Sequence, residues 1–565
     1  MGRPISNYRL NLKAASLAAF LVVLGFAWPF ALKAQAQVKG GGAQNQTRGA
    51  QQKRGVAQIV HDAAALMKAG KLAEAEIAVR SAISADPNDA EAHALLGVIL
   101  DQRGHAEEAE RELRESLRLN PKSAGALTNL GVILVRAKRM DEAAKTFEEA
   151  LKISPDHAQA TYNLALLYLG RQDFQHAIPL LEKMSAMNGG AEVSDLALLL
   201  TLANAYAHSG REQEATKLFD LIERRAGDDP RALFTLGLAL ADAGAYERAA
   251  HLFERTNALR PNTYEVLYNL GIALFNLNRL DEARKALQDA ATVKPDEAEV
   301  FYRLGLVASA KGESENALGL WLHAVKLRPD YAAANFMIAE ELVKNRRNER
   351  AIPFYELAVE QDASQALYYI RLGVAHFRER RYQQARETFE SALARFPENA
   401  LLYYFVGYAQ RAEGQFDAAQ KSFQRSIELD PNNAAAYANL GFLNAERGQT
   451  AEAERLLKRA LALDPENYPA TYDLGRLLVR LARYDEALPI LERGAHLSEK
   501  DPGVHYQLFL AYSRLKRKED ADRELAVFKR LDEERKNGAS GNGGTMANTN
   551  ELPAPDASAK SPKKP

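Results

Sequence analysis

Eleven histidines and no cysteine set the first limit on the chemistry open to this chain. Histidine titrates near neutrality and is the commonest metal ligand. His61, His93, His105, His157, His176, His208, His251, His323, His376, His496 and His505 are nevertheless scattered, with no HExxH and no HxH among them. Without cysteine there are no disulfides, thiolate zinc sites, iron–sulfur clusters, cysteine nucleophiles or lipidated thiols. No phosphate-cradling glycine loop, GxSxG elbow or dinucleotide fingerprint occurs. Carboxylate pairs such as Glu107-Glu108 and Glu148-Glu149 fall on polar helical faces and read as solvated charge. The sequence therefore offers no catalytic residue, no cofactor-binding residue and no metal ligand set. It also offers no nucleic-acid footprint, since 73 basic residues against 74 acidic leave no cationic excess to displace counterions.

The informative pattern is periodic. Alanine stands at one register position in fourteen copies of a 34-residue repeat: Ala75, Ala109, Ala143, Ala177, Ala215, Ala249, Ala283, Ala317, Ala351, Ala385, Ala419, Ala453, Ala487 and Ala521. Twelve residues earlier each copy has a second small residue, such as Gly97, Gly131, Gly271 or Ala203, until Phe509 replaces it in the last. Twelve residues after the alanine, proline recurs nine times, from Pro87 to Pro465, where it would stop a helix. Between these marks the apolar residues have helical spacing, as in Leu127, Leu130 and Leu134, then Ala143, Phe147 and Ala150. Each copy is thus predicted to be two antiparallel helices, A and B, which cross closely where the small residues leave room.

Copies such as Asn129-Leu130-Gly131 to Pro155 and Asn439-Leu440-Gly441 to Pro465 resemble the tetratricopeptide repeat family. The resemblance covers 56–535 and implies an all-α fold, a right-handed superhelical solenoid of about fourteen helix-turn-helix repeats. Fifty-five residues precede the array and 30 follow it, too few on either side for a separate catalytic domain. Repeats 1–4 span 56–191 and repeats 5–14 span 196–535. The four residues 192–195, after Asn188-Gly189-Gly190-Ala191, break the phase and are expected to act as a hinge or a surface loop.

The flanks speak to location. Arg3, Arg9 and Lys13 precede an apolar run over 14–32, and Ala34-Gln35-Ala36 follows it. Segment 1–36 is expected to be an export signal cleaved after Ala36, or an uncleaved membrane anchor, with membrane contact confined to 14–32. In either case the repeats are expected outside the cytoplasm, in a periplasm or cell envelope. Segments 37–55 and 536–565 are polar and Gly-rich, and are expected to be a disordered linker and tail.

In the tetratricopeptide repeat family the concave wall is lined mainly by helix A at repeat positions 2, 5, 6, 9 and 12. Position 5 here carries Tyr162, Phe234, Tyr268, Tyr302, Phe336, Tyr404, Tyr472 and Tyr506, and no charged residue in any copy. Position 9 adds residues such as Val132, Leu166, Leu238 and Leu306. Position 6 carries Asn129, Asn163, Asn269 and Asn439, whose amides donate and accept and so suit a peptide backbone. The resemblance thus implies other proteins or peptides as partners, held as helices or extended segments in an apolar groove. No copy pairs lysine at position 5 with asparagine at position 9, the clamp that this family uses for acidic chaperone tails. Two functions remain: a noncatalytic envelope scaffold that serves a secretion or polysaccharide-export complex, or a substrate-targeting subunit of an extracytoplasmic enzyme encoded separately.

Overall fold

The structure is a computed structural model that describes residues 46–541, with side chains described from 55 to 536. The expected export segment 1–36 lies outside the described residues, as do 37–45 of the linker and 542–565 of the tail. Among the described residues there are 28 α-helices and no strand. They pair as fourteen helix-turn-helix repeats, with A and B of 13 and 14 residues in a typical copy, such as Ala90–Gln102 with Ala106–Leu119.

Two helices exceed their expected repeat. The first helix begins at Gln46 and the last, Lys518–Gly541, runs past 535. The first extension, 46–55, includes the good helix formers Ala50, Gln51 and Lys53, whereas the last, 536–541, includes Asn537, Gly538, Ser540 and Gly541, which intrinsic propensity does not favour. Each terminal helix thus runs into a segment read from polarity as linker or tail.

The local causes of the pairing are visible in each copy. Helix A ends on a left-handed residue, Gly104 (φ 85°) in the second repeat, with the His105 amide donating to Leu100 O and that of Gly104 to Asp101 O. This double bond satisfies carbonyls that the helix end would leave unpaired and reverses the chain. Helix B ends two residues before the recurrent proline, as at Ala85 before Pro87 and Leu119 before Pro121. Asp89, Ser123, Asn399 and Asn467 then cap the next helix A by accepting from its first backbone amides.

The crossing of A on B is as tight as the small residues imply. A Cβ built on Gly97 would lie 2.7 Å from Leu113 Cγ, one on Gly237 2.6 Å from Phe253, and one on Gly271 2.5 Å from Leu287. All fourteen register alanines of helix B are buried. The described residues divide into two compact units between Val293 and Lys294, so each unit holds seven repeats.

That division does not fall at 192–195, which lies inside the first unit. The inserted segment is clasped. Gly189 and Gly190 take φ near 90°, and fully buried Ser194 sits with its hydroxyl 2.8 Å from Gly190 O and 3.0 Å from the Ser185 hydroxyl. Arg225, one helix pair later, donates to Ser194 O at 2.7 Å and to Ala191 O at 3.3 Å. The inserted loop is thus tied to the next repeat through one of its own carbonyls and that of the residue before it.

Two measurements check this reading of the fold. Gly305→Ala places a Cβ 2.6 Å from Cδ1 of Trp321, which is fully buried and donates its indole N–H to Tyr302 O, so it cannot step aside. Its denaturation midpoint should fall by an amount equivalent to about 1–3 kcal/mol. Gly319→Ala, which meets nothing within 4 Å in a helix interior, should rise by about 0.5–1 kcal/mol. At the clasp, Arg225→Ala should accelerate amide exchange across 188–195 and cost roughly 0.5–1.5 kcal/mol, whereas a free hinge would show no change in exchange.

Candidate protein-binding wall on the A helices

Consecutive A helices touch one another directly, as in repeats 1–4, repeats 5–7 and repeats 12–14, which makes A the inner row within each unit. In the first unit this row is uncharged at positions 5, 6 and 9 from the third repeat to the seventh. Tyr162, Phe234 and Tyr268 are half-buried there, and Leu238 is 38% exposed. Burial, then the Asp195 carboxylate, push the Tyr162 phenol above its ordinary pKa, so it stays a neutral hydrogen-bonding group.

Position 6 runs Asn129, Asn163, Thr201, Thr235, Asn269, an amide or hydroxyl in five successive repeats. The two threonines were not singled out by sequence; they close the gap between the asparagines. Thr201 and Thr235 donate to carbonyls one turn back at 2.8 Å, as does Asn269 at 2.7 Å to Glu265 O. Those hydrogen bonds use donors and leave the oxygens of Thr235 and Asn269 as acceptors, whereas Thr201 is buried and its hydroxyl meets Tyr162. Asn163 differs, because its amide nitrogen is buried with no hydrogen-bond partner.

The second unit departs from the expected apolar groove. Tyr302, Phe336 and Tyr404 are 3%, 6% and 2% exposed, so they fill seams and do not line an open wall. Phe336 stacks on Tyr368 at 4.6 Å from the following repeat, and Tyr302 lies 5.1 Å from Tyr331. Tyr472 is half-buried, and Tyr506 is the exposed member at 40%. Asn439 is buried and fully used: it donates to Ala435 O at 2.9 Å and accepts from Arg411 at 2.6 Å. It has no amide left to grip a peptide.

In place of apolar surface this unit presents charge that sequence reasoning passed over. The Arg411 and Arg476 guanidinium carbons lie 4.8 and 5.6 Å from the Phe442 ring centroid. Arg476 also pairs with Glu446 at 2.8 Å and Asp473 at 3.4 Å. Burial pushes the Asp473 carboxyl up to about 6, against the opposing pull of Arg476 and Arg411. The signal was present, since Asp473 and Arg476 occupy positions 6 and 9 of one copy, but their mutual burial depends on the neighbouring repeats. Among the described residues no group of three or more His, Cys, Asp or Glu is placed to hold a metal ion, and no helix is long and apolar enough to cross a membrane.

Sequence models described as tetratricopeptide repeat match this chain from 63 to 506 with two short gaps, at 236–239 and 367–369. The chain belongs to the tetratricopeptide repeat family. Proteins of this family bind other proteins. Comparison with solved structures gives yeast Tom70 at 18% identity over 76% of this chain and 96% of that one, with a TM-score of 0.32. The Cut9–Hcn1 hetero-tetramer of the APC/C follows at 15% identity, over 82% and 98%, with a TM-score of 0.34. Pseudomonas aeruginosa pilF is similar at 23% identity over 38% of this chain and 96% of that one, with a TM-score of 0.32. A search of curated proteins gave no match.

The Asp473 carboxyl makes a signed pH prediction. Its folded pKa is raised above the unfolded value of 3.8, so the native state binds more protons between about 4 and 6 and stability falls as pH rises through that window. The contribution is on the order of 2–3 kcal/mol for a shift of about two units in a buried group. The unfolding midpoint of Asp473→Asn should lack this slope, so its difference from the parent chain should grow between pH 4 and pH 6.5. Parallel curves over that range would remove the burial account.

Proposed function

We propose that this chain is a noncatalytic protein–protein interaction scaffold of a cell envelope, which holds a helical or extended segment of a partner against the A helices of repeats 3–7. The observation that carries this reading is the uncharged row at positions 5, 6 and 9 there, flanked by exposed Arg231 and Glu265 at position 2 of repeats 6 and 7: half-buried aromatics Tyr162, Phe234 and Tyr268, exposed Leu238, and a hydrogen-bonding residue at position 6 of all five copies. Rings with one polar tip give contact area at low entropic cost, and the row of acceptors beside them fits the N–H groups of an extended backbone. Export rests on Arg3, Arg9 and Lys13 before the apolar run 14–32, and with it the assembly of a secretion or polysaccharide-export complex as the task.

The test is crosslinking in the native cells from a photoreactive residue at Leu238, with a second at Tyr506 as the exposed site of the other unit. Recovery of envelope assembly proteins from Leu238 is the expected result. A single enzyme recovered there would point to substrate targeting instead, and no adduct from Leu238 would end the groove assignment.

A further inference from the structure

The turn between A and B shows an independent feature. In seven copies its left-handed residue is glycine, the residue that suits that backbone. In repeats 9 and 10 it is arginine, Arg346 and Arg380, each at φ 59°, a conformation that a Cβ disfavours. The other five copies hold Lys138, Gln172, Asn278, Ala482 and Lys516 there, so the left-handed backbone alone marks no function; what sets repeats 9 and 10 apart is a long cation at this register in two adjacent copies.

The surroundings match. Segments 344–350 and 378–381 together carry seven cations, Lys344, Arg346, Arg347, Arg350, Arg378, Arg380 and Arg381, against Glu349 and Glu379. Two of the arginines brace the repeats: Arg347 holds Glu315 at 3.1 Å and Arg381 holds Glu349 at 2.9 Å. Arg346, Arg350, Arg378 and Arg380 are exposed, and among the described residues they form no ion pair. The turn of repeat 11 is tied alongside, since Arg386 reaches Glu413 at 2.9 Å across an open cleft shared with Arg380 and Gln415. The next residue, Phe416, is 49% exposed.

We propose that the A–B turn edge of repeats 9 to 11 docks on a bilayer surface bearing anionic phospholipid headgroups. Guanidinium groups meet phosphate oxygens in a forked geometry, and a line of them along one edge suits a flat array of headgroups. Phe416 favours a bilayer over an acidic polypeptide, because a phenyl ring beside a cationic row has an apolar boundary to enter just below the headgroups. On the reading of 14–32 as a retained anchor, a membrane lies within reach of the same chain.

The test is flotation of the full chain with vesicles of phosphatidylcholine alone and of phosphatidylcholine with about one third phosphatidylglycerol. Arg3, Arg9 and Lys13 beside 14–32 would also favour the anionic vesicles, so the edge is isolated by the part of the anionic increment that its own substitutions remove. We expect at least tenfold more bound protein on the anionic vesicles, weakened by salt. That increment should drop about tenfold in a quadruple variant, Arg346→Gln, Arg350→Gln, Arg378→Gln and Arg380→Gln. It should survive in a charge-matched control with Lys421, Lys458, Arg459 and Arg493 changed to Gln, and both variants are checked for unchanged helix content. Phe416→Ser should lose part of the increment and leave the salt sensitivity intact. Equal binding to both vesicles, or equal losses in the two quadruple variants, would overturn the proposal. So would full displacement by soluble polyglutamate at matched charge, which would assign the edge to an acidic polypeptide.

Discussion

The contact between the small residue of helix A and the large residue sixteen positions later on helix B is the one on which the rest depends. Gly97 receives Leu113, Gly237 receives Phe253 and Gly271 receives Leu287, at distances that a methyl group would close. Because A and B can approach only here, the crossing sets where the outer faces of a repeat point and therefore what the next repeat meets. Stability in such an array is local and accumulates between neighbours. A repeat that opens its crossing loses its own core and also the surface offered to both sides. The last described copy departs from the rule: Phe509 occupies the small-residue position and is half-buried.

A second layer of order is electrostatic. An arginine immediately before helix B pairs with a glutamate three residues on and reaches back to a carboxylate of the preceding repeat. Arg139 does so with Glu142 at 2.6 Å and Glu110 at 2.7 Å, and Arg483 with Glu486 and Glu454, both at 2.6 Å. The Arg139 hydrogen bonds hold Glu142 below the ordinary carboxylate range, and Arg483 does the same for Glu486. The glutamate also lies in the first helical turn, where a negative charge suits the helix dipole. The pairs within one repeat are exposed and individually weak, while Glu110 and Glu454 are mostly covered. Their value lies in register, since an arginine that must satisfy both its own helix and the one before tolerates no slippage between repeats.

The fold was legible in the sequence because its determinants are local and repeated: Ala143, Gly131 and Pro155 lie within one 34-residue window and recur in others. The wall was legible only in part, because the exposure of a position-5 side chain is decided by the following repeat. Phe336 disappears under Tyr368, while Tyr268 stays half-open with Tyr264 at 5.6 Å on its own helix. The asparagines show the same limit. Residue type predicts an amide with two faces, yet Asn439 turns one face to its own helix and the other to Arg411, an arrangement that no single repeat encodes. The left-handed arginines were hidden differently, by a register at which glycine is ordinary and its replacement draws notice only when φ is known.

The two walls also differ in what they ask of a ligand. A neutral wall gives up little hydration when covered, so the first unit can bind through buried area and a few backbone hydrogen bonds, with tolerance for side-chain identity. The cluster of Arg411, Asp473 and Arg476 is already largely desolvated and satisfied internally, and a partner laid over it gains only if its own polar groups replace the water that those guanidinium groups still hold. Such a surface rejects mismatched partners more than it attracts matched ones.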